Sequence, residues 1–304
     1  MKKSLIVFLI ALISIVSFSI TFINPFGPTI IPISPMLDGV IQGYVNLNIS
    51  LWKNPDEAIA RIVSGEAKFA VLPITTAANL YSKGIDIKLV GVHEWKVFYL
   101  VSKQDFKDLS NLKGKTVYSA HGRGQTVDVL LRYLLVLSGL KPDKDVQFVY
   151  APPQEVVALF KAGKVDFAAL PEPFVSMCLA SDGKIVLDFQ EEWNKISGSS
   201  NGIPVAGLFV TGEIAQYVNL IEDVEKTFEK SINWSNENLD KALEITNKYL
   251  TIPTPILKES MKRTEFRYVP VSKCKKDVEL FLSKMNELYS EGLPKIPDEG
   301  FYLK

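Results

Sequence analysis

QEVVALFKAGKVDFAALPEPF, residues 154–174, is the stretch that decides the fold. Val156, Val157 and Phe160 make one apolar face, which predicts a helix that follows a proline pair and ends at Gly163. The apolar run 167–170 then predicts a short buried strand of a parallel sheet. Two prolines end that strand, and Glu172 lies between them at the tip of the turn.

The same unit occurs earlier in the chain. Residues 56–76 read DEAIARIVSGEAKFAVLPITT and share the pattern G-x-x-x-F-A-x-L-P with the later copy. The simpler explanation is a chance match between two ordinary helix–strand units. The match covers both the packing residues and the turn, and it therefore favours two similarly built α/β lobes. Ligands bind outside the carboxyl ends of parallel strands, so the turns Pro73–Thr76 and Pro171–Pro173 are expected on opposite walls of one cleft.

Composition and the first residues restrict the class of protein. Lys and Arg total 34, equal to Asp and Glu, so the charge balance does not point to nucleic acid. Two early lysines, an apolar run over residues 5–16 and Ser17-Phe18-Ser19 have the layout of a secretory signal, with cleavage expected near Ser19. The alternative is an uncleaved membrane anchor. Cys178 and Cys274 are expected to be buried free thiols, and their spacing does not suggest a metal site.

Three further segments carry local predictions. The stretch around Ser34, Pro35 and Met36 is too rich in proline to be predicted as one regular helix. Residues 127–138 form the clearest helix of the middle of the chain, with an Asp128–Arg132 pair expected on its outer face. The C-terminal helix carries an apolar stripe that is expected to pack against a lobe.

The middle of the chain resembles the second lobe of the type II periplasmic solute-binding proteins, in particular the ABC-importer binders of nitrate, sulfonate, taurine and thiamine precursors. The resemblance also extends over most of the chain after the signal segment. It rests on these stretches: Asp108–Val117, Gly122–Thr126, Gly139-Leu140, Ala158–Ala168, and in the first lobe Val71–Pro73 with Thr75–Ala78.

The resemblance implies two Rossmann-like α/β lobes around a ligand cleft, joined by a two-segment hinge. The first lobe would comprise residues 20–102 plus 206–304, and the second 103–205, after a signal peptide at 1–19. The chain crosses between them near 101–104 and 205–207. The resemblance further implies a periplasmic or extracytoplasmic monomer that needs no cofactor, metal or nucleic acid and delivers its solute to an importer permease.

Helix N-termini are the first candidates for binding, because their free N–H groups hold anions or polar oxygens. Three could face the cleft, at Thr75-Thr76, at Gly124–Thr126 and at Pro173-Phe174. The candidate ligand-binding residues are Pro35, Pro73, Thr75, Thr76, Trp95, His121, Gly122, Arg123, Gly124, Gln125, Thr126, Glu172, Phe174 and Asn201.

The side chains leave two ligand classes open. Arg123 and His121 favour an oxyanion such as a sulfonate or nitrate, unless they are solvent-facing loop charges. Glu172, with Trp95 or Phe174 as a stacking surface, favours a heteroaromatic with amino groups, such as a thiamine-precursor pyrimidine. A carboxylate enclosed at this turn must be satisfied either by the ligand or by a facing basic residue.

An enzyme on the same fold is the alternative function. Some relatives with this fold are pyrimidine synthases or a desulfinase, and Ser119 or Cys178 would be the nucleophile here. No motif places a base beside either residue, and metal-ligand spacing is absent from the sequence. The sequence therefore predicts a binding protein without catalytic residues.

Overall fold

The computed structural model describes residues 19–120, 122–199, 201–288, 290 and 293–304. The predicted signal segment, apart from Ser19, and the candidate His121 lie outside the described residues. Within the described residues, strands form two separate sheets. The first sheet contains, in spatial order, β2 (Leu47–Trp52), β1 (Ile20–Pro25), β3 (Ala67–Pro73), β10 (Ala206–Thr211), β4 (Ile87–Lys96) and β11 (Glu265–Pro270). The second contains β7 (Gln147–Ala151), β6 (Thr116–Ala120), β8 (Phe167–Pro171), β5 (Phe98–Ser102) and β9 (Lys184–Asp188).

The two sheets repeat one topology. The order β2-β1-β3-β10-β4 corresponds strand for strand to β7-β6-β8-β5-β9. In each sheet the first three strands are parallel, and the fourth runs antiparallel to both of its neighbours. The two copies of the G-x-x-x-F-A-x-L-P pattern supply β3 and β8, which hold the same central position. The predicted pair of similarly built α/β lobes is confirmed.

The chain passes between the sheets at Val97 and again through residues 189–205. The first crossing comes earlier than the sequence suggested. Phe98–Ser102, which had been assigned to the first lobe, pairs with β8 and β9 of the second sheet. An apolar run of this kind is buried on both faces in either lobe, and its composition therefore gives no sign of which sheet it joins.

Helices cover both sheets. They are α1 (Ile30–Leu37), α2 (Pro55–Val63), α3 (Ile74–Ser82), α4 (Thr126–Leu137), α5 (Pro153–Lys161), α6 (Phe174–Leu179), α7 (Phe189–Ser197), α8 (Val218–Glu237), α9 (Leu239–Thr246), α10 (Thr254–Met261) and α11 (Val271–Leu288). No helix among the described residues is long and apolar enough to cross a membrane. Cys178 and Cys274 are buried free thiols, as expected.

Helix α1 corrects the expectation of an irregular proline-rich segment. Pro35 lies inside the helix and has no N–H to donate to the carbonyl of Ile31. The hydroxyl of Ser34 donates to that carbonyl instead, at 2.9 Å. This side-chain bond satisfies the acceptor that the proline leaves without its usual partner, and the helix continues through it.

The hydrophobic core continues from one lobe to the other. Its largest cluster includes Trp95 of the first sheet, Leu100 of the second, and Phe281 of α11. Phe281 packs edge-on against Trp193 of α7, with ring centroids 5.6 Å apart. The apolar stripe of the C-terminal helix is buried, as predicted, and the lobes meet through packed side chains.

Candidate functional site

The turns after β3 and β8 both lie against the crossing segments. The N–H of Ile74 donates to the carbonyl of Val205 at 3.0 Å, and the N–H of Glu172 donates to the carbonyl of Val97 at 2.9 Å. Ile74 and Glu172 hold the same place in the two copies of the repeat. The carboxyl ends of β3 and β8 therefore face the junction of the lobes, one from each sheet.

The start of α3 keeps polar groups available at this junction. Pro73 precedes the helix and provides no side-chain cap for its free N–H groups. Thr75 is 5% exposed, and its hydroxyl has no hydrogen-bond partner, while Thr76 beside it is half-buried. An uncapped helix start with an unpartnered hydroxyl suits the polar oxygen of a small solute.

The ends of the two neighbouring strands add further unpartnered groups. Asn24 of β1 uses its amide N–H groups on Pro25 and Thr29, but its Oδ1 is buried without a partner. The indole N–H of Trp52, the last residue of β2, is also buried without a partner. Asn24 was not among the residues predicted from the sequence, because an asparagine that ends a strand reads as an ordinary turn residue.

The loop before α4 is tied to the helix that follows it. Gly124 has a φ of +80°, which favours glycine, and its N–H donates to Oδ2 of Asp128 at 2.8 Å. Asp128 also accepts from Nε of Arg132 and from the hydroxyl of Tyr150. The predicted Asp128–Arg132 pair is present, but it is buried and does not lie on the outer face. Its role is to hold this loop.

The other loop residues vary in exposure. Gly122 and Arg123 are exposed, Gln125 is half-buried and Thr126 is buried. A guanidinium nitrogen of Arg123 lies 3.1 Å from Oδ2 of Asp143. The group that was expected to neutralise an anionic ligand is therefore engaged with a carboxylate of its own lobe.

Glu172 has protein partners for both carboxylate oxygens. It is 2% exposed; Oε1 accepts from Nε of Arg263 at 2.5 Å, and Oε2 accepts from the N–H and hydroxyl of Ser176. The carbonyl of Arg263 accepts from the hydroxyl of Tyr99 at 2.7 Å. A facing basic residue thus satisfies the carboxylate. The start of α6, one of the three candidate helix N-termini, is occupied by this same carboxylate.

Four other residues that were predicted to bind the ligand are packed or hydrogen-bonded within the protein. Trp95 is 0% exposed and donates its indole N–H to the carbonyl of Arg267 at 2.8 Å, so it offers no surface for stacking. Phe174 packs in the core of the second lobe, and Pro35 is buried in α1. Asn201 donates its amide to Asp277 of α11 at 2.7 Å. Large aromatic residues at strand ends are more often core than ligand wall, as Trp95 illustrates.

Glu94 was not among the ligand-binding residues predicted from the sequence. It lies at the carboxyl end of β4, where its own carbonyl accepts from the N–H of Val205 at 2.9 Å. The residue is 6% exposed, and burial raises the pKa of its carboxyl to about 8. Its neighbour His93 is fully enclosed, and burial lowers the pKa of that imidazole to about 3, so it is neutral at pH 7.

An open depression of about 480 Å³ lies elsewhere, on the surface of the second lobe. Phe106, Asp108, Ser138, Leu187 and Glu192 contribute to its walls. These residues do not include any of the groups at the junction of the lobes, so the depression is separate from the candidate site.

The NMT1-like family profile matches residues 47–243, which is more than half of the chain. The chain belongs to the NMT1-like family. This NMT1-like chain is 26% identical over 209 residues to the bicarbonate transport ATP-binding protein CmpC of Synechococcus elongatus. That match covers 66% of the chain and only 30% of the cyanobacterial protein.

Two solved structures share the fold. One is an ABC transporter structure from Parabacteroides distasonis, with a TM-score of 0.78 and 26% identity, covering 94% of this chain and 99% of that one. The other is the periplasmic aliphatic sulphonate binding protein of Escherichia coli, with a TM-score of 0.77 and 19% identity, covering 94% and 92%. The NMT1-like chain therefore has the two-lobed fold of the periplasmic binding proteins, as the sequence resemblance implied.

Proposed function

We propose that this NMT1-like protein is the extracytoplasmic solute-binding component of an ABC importer. It captures one small polar solute between its lobes and delivers it to the permease. The observation that carries the proposal is the duplicated sheet, whose two central turns each bond to a segment that crosses between the lobes. Related proteins named for bicarbonate transport and for sulphonate binding support the same class.

Two crossings are sufficient for a hinge. A hinge that rotates about Val97 and the segment before Ala206 brings the end of β3 toward the end of β8. Closure of this kind surrounds a small solute and removes it from water. The signal at residues 1–19 belongs to the same proposal, since a binding component of an importer acts outside the cytoplasm.

The binding groups come mainly from the first lobe. Of the three helix starts named from the sequence, α6 is filled by Glu172, and the loop before α4 is held by Asp128. The start of α3 has no side-chain cap, and the hydroxyl of Thr75 there has no partner. The loop at 122–126 covers the solute from the opposite lobe on closure.

Catalysis is not part of the proposal. Cys178 is one of the two candidate nucleophiles in the sequence, and burial raises its pKa to about 12. Burial raises the pKa of Cys274 to about 12 as well. Both remain protonated at neutral pH, and the thiol form is a poor nucleophile.

A stability screen tests the function. Ethanesulfonate, nitrate, bicarbonate and 4-aminopyrimidine are added separately, and thermal unfolding is measured. A solute present at about 100 times its dissociation constant should stabilise the protein by about 2.7 kcal/mol. Binding should be stoichiometric, leave the solute chemically unchanged and weaken in Thr75→Val but not in the exposed control Thr116→Val. Conversion of the solute, or equal binding by Thr75→Val, contradicts the proposal.

A further inference from the structure

Glu94 lies at the junction of the lobes, next to the second segment that crosses between them. It lies two residues before the end of β4 and pairs with Ala206 of β10, which pairs in turn with Pro73 of β3. The carbonyl of Glu94 and the N–H of Ile74 both bond to Val205 of the second crossing. One strand, β10, therefore separates the backbone of Glu94 from Pro73 and the start of α3.

The carboxyl group of Glu94 has no hydrogen-bond or ion-pair partner among the described residues. Its oxygens are also not among the fully enclosed unpartnered atoms, so the small remaining exposure of the residue includes them. A carboxyl group that is more than nine-tenths buried and unpaired has a high energetic cost once ionised. It is a group that a bound solute can satisfy.

The basic groups near this edge are already paired. Lys96 lies 2.6 Å from Asp188, Arg263 bonds to Glu172, and Arg267 bonds to Glu265. None of these pairs includes Glu94. Once ionised, Glu94 would be an acid without an ion-pair partner, and that form favours a positive or N–H-donating group over a plain anion.

We propose that Glu94 determines specificity, by accepting a hydrogen bond from an ammonium or amino group of the solute and losing its proton to solvent as that solute binds. This inference rests on the proposed binding function. The opposite end of the same solute carries a polar oxygen that meets the start of α3 and Thr75. The ligand class is a small molecule with one hydrogen-bond donor end and one acceptor end.

The proton change gives binding a defined pH dependence. With the pKa of Glu94 raised to about 8 by burial, the free protein holds this carboxyl protonated at pH 7. Because a cationic solute selects the ionised form, its affinity should rise about tenfold per pH unit below 8 and level off above it. Of the elements packed against β4, β10 carries no ionisable side chain, and β11 carries the Glu265–Arg267 pair and Tyr268, which donates to Glu225. In α11, Asp277 accepts from Ser199 and Asn201 and Lys275 pairs with Glu299, and in α3 Tyr81 donates to Asp298.

Two matched pairs of probes test the proposal by isothermal titration calorimetry. The pairs are 2-aminoethanesulfonate with ethanesulfonate, and 4-aminopyrimidine with pyrimidine. Each is titrated into the full chain at pH 7 in phosphate and in Tris, whose different ionisation enthalpies reveal proton release. The wild type is compared with Glu94→Gln and with the control Glu265→Gln, an acid on the adjacent strand that pairs with Arg267.

The expected result is that the amino member of at least one pair binds more tightly than its match and releases a proton to the buffer. Glu94→Gln should lose roughly 10- to 100-fold in affinity for that amino member, the scale of a hydrogen bond to a charged group. Glu265→Gln should change it by no more than about threefold.

Tight binding of ethanesulfonate or pyrimidine, without proton release and unchanged in Glu94→Gln, overturns this inference and leaves the binding function in place. Absence of binding by all four probes overturns the ligand class. If ethanesulfonate, nitrate, bicarbonate and 4-aminopyrimidine also fail to stabilise the protein, the binding function loses its support as well.

Discussion

The contact between Arg263 and Glu172 links the segment before β11 to the turn after β8, and Arg263→Met should break it. The change removes the donor to Oε1 of Glu172 and a second bond, 2.7 Å long, to the hydroxyl of Ser176. The methionine keeps most of the apolar stem of the arginine. Glu172, whose side chain is 1% exposed, remains as a charge held by Ser176 alone.

The size of the effect follows from burial. Removing one partner of a buried ion pair costs about 3–5 kcal/mol, because the other charge stays out of water. The side chain of Arg263 is 22% exposed, which places the expected loss near the lower end, about 3 kcal/mol. A surface pair on the same part of the chain provides the control. Lys258 of α10 pairs with Asp240, both are exposed, and Lys258→Met should cost less than about 1 kcal/mol.

Urea unfolding followed by circular dichroism measures both variants. Small-angle X-ray scattering of Arg263→Met should also show a larger radius of gyration, since this contact holds the lobes together. The double variant with Glu172→Gln should recover part of the lost stability, because the uncompensated charge is gone. A loss for Arg263→Met no larger than that for Lys258→Met would refute the reasoning, since it would mean that water screens the pair.

Three other predictions concern single groups. Folding raises the pKa of Glu94 from 4.5 to about 8, so the wild type loses stability as the pH rises through that window. Glu94→Gln should therefore be more stable than the wild type at pH 9, by on the order of 4 kcal/mol. In thermal unfolding curves this difference in stability should shrink toward pH 5. A constant gap would contradict the assignment. Thr75→Val should leave the unfolding free energy within about 1 kcal/mol of the wild type, because its hydroxyl has no partner to lose; a larger loss would reveal a structural role. Asp128→Asn should cost about 3 kcal/mol in urea unfolding by weakening its bonds to Arg132 and Gly124, and a loss under about 1 kcal/mol would show that the network does not support the loop.

The repeated unit was readable from sequence because its signals are local. Gly163 and Gly65 both adopt positive φ at the ends of their helices, and Pro73 and Pro171 are the last residues of β3 and β8. Residues a few positions apart determine such features. The matching strand order of the two sheets follows from them together with the right-handed connection of parallel strands.

Much of the site was not readable because its contacts span long distances in the chain. Arg263 and Glu172 are 91 residues apart in the sequence, and no local sequence pattern predicts that they pair. Trp95 follows two polar residues and was assigned to the ligand wall, but β11 covers it. Glu94, one residue earlier, was passed over because its burial depends on strands that arrive more than 100 residues later.

The position of β10 has a consequence for how the protein is made. This strand lies between β3 and β4 and bonds to both, yet it begins only at Ala206. As the chain emerges from the ribosome or an export channel, the whole second sheet, residues 98–188, is available before β10 is. The inserted lobe can therefore complete its own sheet while two hydrophobic strand edges of the first remain open, and such edges invite pairing with other chains. The second lobe can therefore fold before the first, although the first lobe begins earlier in the chain. The first sheet is completed only when the residues from Ala206 onward have been synthesised.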